Sequence, residues 1–320
     1  MKLGLVFAAA CACAAWLCGC APSFYAGVPP GAPANATFAD VAGAHVRFVD
    51  RGEGPPVVLV HGFASSLDAW NGVMAELSKT HRVLAMDLKG FGWSSRPRGD
   101  YSPQAEAQLV LALMDQRGIH RAAVVAHSWG SSVALAMALA APERVSRIAL
   151  YDAWVYEEQL PTTFLWARAG GIGEALFDLF YTERPDEKIE LAFYDKDRYV
   201  TERFVEHVEK ALDRPGTTAA ALAAVRGQRF KDVQALYAGI KQPVLLLWGR
   251  DDKVTLLPYG ERLARDLPNA RLVVYPRCGH FPMIEAASPS TADLEKFLDE
   301  SPGGDETPGA TAHGKKEATP

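Results

Sequence analysis

The sequence predicts an α/β fold: a mostly parallel, doubly wound sheet interrupted once by a helical insertion. Three observations carry this reading. Short runs that are apolar nearly throughout recur along the chain, as strands covered on both faces require. Helical runs separate them, and strand–helix–strand alternation implies parallel pairing with right-handed crossovers. The alternation then lapses for one long, aromatic-rich stretch.

Taken in order, Lys2 is followed by an uncharged apolar run, Leu3 to Leu17, and then by Gly19-Cys20-Ala21-Pro22. The run is too short to span a bilayer comfortably and ends in small residues, so residues 1–20 are expected to be an export signal. Leu17-Cys18-Gly19-Cys20 resembles the lipobox of bacterial lipoprotein signals, with Cys18 the less usual residue. The resemblance implies lipidation at Cys20 and a membrane surface as partner, reached through acyl chains and not a helix. Ala21 in place of Asp implies the outer membrane or the periplasmic face in a Gram-negative cell. A plain secretory signal or a retained anchor is the alternative.

Residues 21–40, rich in Pro, Gly and Ala, are expected to be a flexible spacer. The first part of the core should span 41–153. Val46–Val49 alternates and suits an edge strand. Val57–Val60, Val83–Met86, Ala123–Ala126 and Ile148–Tyr151 are the continuous apolar runs. Helices are expected around Asp68–Lys79, Pro103–Arg117 and Ser131–Ala140. Pro103 suits a helix start and Gly118 a helix end. Residues 154–240 hold no convincing strand. Trp154, Phe164, Trp166, Phe177, Phe180, Phe193 and Tyr194 fall here. The stretch is read as a helical cap over the sheet, most of these rings forming its own core and a few lining a pocket. The second part of the core, 241–300, supplies Val244–Trp248 and Leu272–Tyr275 with helices at Gly260–Asp266 and Thr291–Asp299. Residues 301–320 show no apolar period and are expected to be a disordered tail.

The chain of 320 residues is 49% hydrophobic, carries a net charge of −5 and has no long basic run, which excludes nucleic acid as partner. Four of the five cysteines, Cys11, Cys13, Cys18 and Cys20, precede Ala21. Cys278 is left alone, so it has no partner for a disulfide and reads as a small packing residue.

Ala126-His127-Ser128-Trp129-Gly130 follows an apolar run and opens a helix, the context of a nucleophile elbow. The usual pattern begins with Gly, and Ala126 is the mildest steric departure from it. A serine hydroxyl needs a base that an acid orients. Gly249-Arg250-Asp251-Asp252 and Gly279-His280-Phe281 each follow a predicted strand, where sites collect in open α/β sheets. His280 is therefore the expected base. Asp252 is the first candidate for the acid, with Asp152 the main alternative and Asp251 holding the turn. The chain order Ser, Asp, His agrees. The amides of Phe63, in His61-Gly62-Phe63, and of Trp129 are the expected oxyanion donors. His61 is expected to hold its turn by hydrogen bonds.

Val60-His61-Gly62-Phe63, Asp87-Leu88-Lys89-Gly90-Phe91-Gly92-Trp93-Ser94, the Ser128 elbow, Trp248-Gly249-Arg250-Asp251-Asp252 and Cys278-Gly279-His280-Phe281-Pro282 together resemble the α/β-hydrolase superfamily. The likeness is to its esterase, haloperoxidase and C–C hydrolase branch and spans about residues 45–298. It implies the α/β-hydrolase fold with a cap that shapes substrate choice, and it supports Asp252 as the acid. Ser128 argues against dehalogenases and epoxide hydrolases, which carry Asp at that position. The expectation is a carboxylester hydrolase acting on a small, apolar, ester-like substrate, with no metal or organic cofactor. Hydrolysis of a C–C bond in a vinylogous diketone and non-catalytic ligand binding are the rivals.

Overall fold

The computed structural model describes residues 22–300. The expected signal with Cys20 and the expected tail, 301–320, lie outside these residues. Eight strands form one sheet: β1 Thr37–Val41, β2 Ala44–Arg51, β3 Pro56–Val60, β4 Arg82–Met86, β5 Ala122–His127, β6 Val145–Tyr151, β7 Val244–Gly249 and β8 Ala270–Tyr275. Their spatial order is β1-β2-β4-β3-β5-β6-β7-β8. β1 and β2 are antiparallel edge strands, and β4, β3, β5, β6, β7 and β8 run parallel.

The interior parallel strands read as unbroken apolar runs because both of their faces are covered, whereas β8 at the edge is mostly half-buried. Val58, Val60, Val124 and Ala126 point into one core layer, whereas Val57, Leu59, Ala123 and Val125 point into the other. α1 (Asn71–Leu77) contributes Val73, Met74 and Leu77 to the second layer. α2 (Pro103–Gln116) and α3 (Gly130–Ala140) pack in the first. Ser102 caps α2 by accepting from the Ala105 amide, Pro103 sits in its first turn, and Gly118 follows it at φ +66°.

Between β6 and β7 the chain leaves the sheet and forms α4 (Thr162–Ala167), α5 (Ile172–Phe180), α6 (Asp186–Ala192), α7 (Lys196–Tyr199), α8 (Glu202–Leu212) and α9 (Thr217–Gly227). Ala167, Phe177, Ala221, Leu222 and Val225 give this cap a small apolar cluster of its own. After β7, α10 (Leu257–Asp266) returns to the first layer, and α11 (Pro282–Glu285) and α12 (Ala287–Asp299) close the second.

Two expectations need correction. Residues 22–40 are docked on the domain and do not form a free spacer. Tyr25 and Arg96 exchange both backbone hydrogen bonds, at 2.8 and 2.7 Å, Phe24 stacks on Tyr101, and β1 begins at Thr37. Pro and Gly preclude a helix there but do not prevent edge pairing, and two adjacent aromatic rings provide the hold. Nor do the cap aromatics mostly form its core. Phe177 and half-buried Phe164 belong to the cap's own cluster, Trp154 is buried in the first core layer and Phe193 is buried against Phe281. Trp166, Phe180 and Tyr194, by contrast, are about half exposed.

Candidate active site

β5 ends at His127 and α3 starts at Gly130, so Ser128 occupies the tight turn between them with φ +52°. A left-handed backbone on a non-glycine residue costs about 1–3 kcal/mol and survives only where its surroundings impose it. Here they do. The Ser128 amide donates to the Tyr151 carbonyl at 2.9 Å, and its carbonyl accepts from the Trp154 amide at 3.1 Å. A methyl group on Gly130 would lie 2.4 Å from the His61 carbonyl oxygen, and one on Gly62 would lie 3.0 Å from the Ser128 Cβ. Close packing against the β3 loop thus explains both glycines.

His280 packs against His127, the residue before Ser128, and there it meets Asp252. His280 Nδ1 lies 2.8 Å from Asp252 Oδ2, and both side chains are buried. Asp252 Oδ1 accepts from the amides of Val254 and Thr255, and its Oδ2 also accepts from the Thr255 hydroxyl at 2.6 Å. These bonds fix the carboxylate, leaving the imidazole its Nε2 to present elsewhere.

The other two acid candidates sit differently. Asp152 Oδ1 accepts from the Gly249 amide at 2.9 Å, and its Oδ2 is buried without a partner. Burial first, and then the neighbouring Asp252 charge, push its carboxyl well above the ordinary range. Asp251 is half-buried in the turn, and its amide donates to the Cys278 carbonyl. Burial likewise pushes the Cys278 thiol up, which keeps it protonated and unreactive.

The Phe63 and Trp129 amides donate to no protein acceptor among the described residues. The Phe63 ring is wedged among Phe91, Trp129, Phe164 and Tyr181 at centroid distances of 5.4 to 6.4 Å. The Leu88 amide donates to His61 Nε2 at 2.9 Å, so the ring carries its proton on Nδ1, 2.7 Å from the Gly62 carbonyl. Burial lowers its pKa and keeps it neutral. His61 thus links the loop after β3 to the loop after β4.

Three residues here went unread in the sequence. His127 Nε2 lies 2.7 Å from the His280 carbonyl, its ring packs 4.7 Å from the His280 ring, and burial drives its pKa well down. Thr255 bonds Asp252, as above. Glu285 Oε2 accepts from the Gly279 amide at 2.6 Å, while its Oε1 accepts from the amides of Tyr194 and Asp195. The His280 amide also donates to the Ala192 carbonyl of the cap at 2.7 Å. His127 lay inside the elbow motif, but its partner is 153 residues away, and no local pattern marks such a contact. Asp152, Asp252 and His280 form the one grouping of metal-type ligands among the described residues. It is the acid–histidine pair itself, with Asp252 already accepting four donors.

Residues 55–287 match the family described as alpha/beta hydrolase fold. The chain belongs to the α/β-hydrolase family. Among its relatives is a 2-hydroxymuconate semialdehyde hydrolase of Pseudomonas putida, 31% identical over 81% of this chain and 92% of that protein. Another is a pimeloyl-[acyl-carrier protein] methyl ester esterase of Nitrosomonas europaea, 30% identical over 75% and 94%. A solved thermophilic esterase from Thermogutta terrifontis superposes with a TM-score of 0.71 at 26% identity, covering 83% of this α/β-hydrolase and 98% of the esterase. Relatives in the family thus include both esterases and hydrolases of ring-cleavage products.

Proposed function

We propose that the protein is a carboxylester hydrolase in which Ser128 is the nucleophile, His280 the base and Asp252 the acid. The observation that carries this is the buried Asp252–His280 pair at 2.8 Å beside a serine held at φ +52°. Ser128 Oγ attacks the ester carbonyl carbon while His280 Nε2 takes its proton, and Asp252 stabilises the imidazolium. The oxyanion accepts from the Phe63 and Trp129 amides, a contribution of roughly 3–4 kcal/mol per donor in comparable sites. The C–O bond breaks as His280 returns the proton to the alcohol. Water then attacks the acyl-serine, with His280 again as base, to release the acid. The aromatic rings around Phe63 favour an apolar acyl group. An anchor at Cys20 would hold this chemistry at the cell envelope.

The test is hydrolysis of p-nitrophenyl esters of graded chain length, beside Ser128→Ala. Loss of turnover in the variant supports the triad, and the chain-length optimum sizes the pocket. A second reading, hydrolysis of a C–C bond in a vinylogous diketone, is favoured by the 31% identity to the 2-hydroxymuconate semialdehyde hydrolase. Turnover of such a ring-cleavage product with negligible ester hydrolysis would select it. Failure of an organophosphonate to label Ser128 would overturn both.

A further inference from the structure

The cap contains two helices that are apolar on both faces. On α4, Phe164 and Ala167 face inward; on α5, Gly173 and Phe177 do. Ala167 and Phe177 meet the same Ala221–Leu222–Val225 surface of α9, so the opposite faces of α4 and α5 lie together on the outside of the cap. Those outer faces carry Leu165, Trp166, Ile172 and Leu179, and Phe180 is half exposed at the end of α5; the five are 40% to 65% exposed. Ile172 and Leu179 are two turns apart on one helix face. A helix apolar all round is normally buried, and clustered large apolar side chains at a surface mark a contact with something. Charge is scarce here as well. Of the three charged side chains in 162–182, Arg168 pairs with Glu157 and Glu174 with Arg226. Only Asp178 has no ion-pair partner among the described residues.

The path of the chain indicates what covers this face. Pro22, the first described residue, lines one open groove of about 730 Å³ together with Glu174 of α5 and Leu222 and Arg226 of α9. The chain therefore enters the domain at the flank of α5, immediately after Cys20 and the apolar run Leu3–Leu17. Whatever holds that segment in a membrane also holds α4 and α5 near it. No helix among the described residues is long and apolar enough to cross a membrane. The inner faces of the same helices continue to the site, because Phe177 packs on Phe164 at 6.3 Å and Phe164 on Phe63 at 5.7 Å.

We propose that the outer faces of α4 and α5 dock on a lipid bilayer surface, and that the substrate is a bilayer-dissolved ester drawn to Ser128 beneath this docked cap. The second half rests on the ester-hydrolase reading, and the first half does not.

The experiment uses the full chain reconstituted in phosphatidylethanolamine–phosphatidylglycerol vesicles, with and without acyl-brominated lipid. The emission lost in Trp166→Phe isolates the Trp166 contribution. Brominated lipid is expected to quench that contribution by about half or more, because interfacial side chains sit at the headgroup–acyl boundary. The double variant Ile172→Gln/Leu179→Gln should abolish the quenching. It should lower turnover of a long-chain ester dissolved in the vesicles about tenfold, leaving a short water-soluble ester within about twofold. Quenching without any ester turnover would uphold the docked face while removing the ester reading. Trp166 emission unaffected by brominated lipid would overturn the proposal. So would sedimentation showing that the double variant dissociates a dimer, since a second copy would then be the occupant. An equal fall for both esters would overturn the delivery of substrate from the bilayer.

Discussion

Ser128 and His280 are held in contrasting ways. The Ser128 turn is fixed mainly by the core: its amide bonds Tyr151 and Gly130 abuts the His61 carbonyl, with one further bond from Trp154 where the cap begins. The histidine loop is fixed partly by the core and partly by the cap. Its carbonyl faces His127, its own amide donates to Ala192, and Glu285 ties Gly279 to Tyr194 and Asp195. The Ser128 turn therefore depends on the cap only at its first residue, whereas the His280 loop is tied to residues deep within the cap. A cap that shapes substrate choice can in this way also set how well the base is aligned.

The largest effect should fall where both regions meet. Ser128→Ala and Asp252→Asn are each expected to lower kcat about 10⁴-fold with little change in melting temperature, measured on a soluble ester. An Asp252→Asn variant within tenfold of wild type would remove Asp252 as the acid. A smaller effect tests the cap tie. Glu285→Ala should lower kcat about tenfold with KM nearly unchanged, since it loosens the base and not the pocket. Glu285→Gln, which can still accept at one oxygen, should recover part of that loss. Equal changes in kcat and melting temperature for both variants would make Glu285 merely structural.

Asp152 sharpens the contrast from the core side. Because burial disfavours its charged form, Asp152→Asn should leave kcat within about threefold at neutral pH, unlike the same exchange at Asp252. A loss as large as that of Asp252→Asn would assign the acid role to both. The smallest effect is on stability. Glu106, buried on α2, is pushed up to about 8 by burial, against the pull of Lys89. Its folded pKa exceeds the unfolded one, so the stabilisation is complete below about 4.5 and is lost as pH rises toward 8. Thermal melts should therefore show wild type losing stability relative to Glu106→Gln between those values, with activity little altered. A pH-independent difference would refute the raised pKa.

Much of this was legible in the residues. Continuous apolar runs marked every parallel strand. In the sheet interior this is because a strand covered on both faces has no polar side to show, and at the edge β8 was marked by Leu272–Tyr275 although it is only half-buried. Pro103 and Gly118 bracketed α2 through backbone constraints that are local. The elbow was legible because its small residues flank Ser128 within five positions after an apolar run, although the contact that demands Gly130, the His61 carbonyl, lies far away in the chain. β1 was not, since five residues pairing at a sheet edge need no distinctive pattern, and neither was the docking of residues 22–36, which depends on Arg96 and Tyr101.

By itself the sequence determined the sheet, its interruption by helices, and which serine, histidine and acids could react. These follow from periodicity, backbone constraint and side-chain chemistry, all of which are local. The tertiary structure alone decided that Asp252 faces His280 while Asp152 accepts from the Gly249 amide beside it. It also decided that Glu285 ties the base to the cap, and that Trp166 and Phe180 face outward. Each of these is a contact or an exposure set by segments far apart in the chain, and local composition does not encode distance.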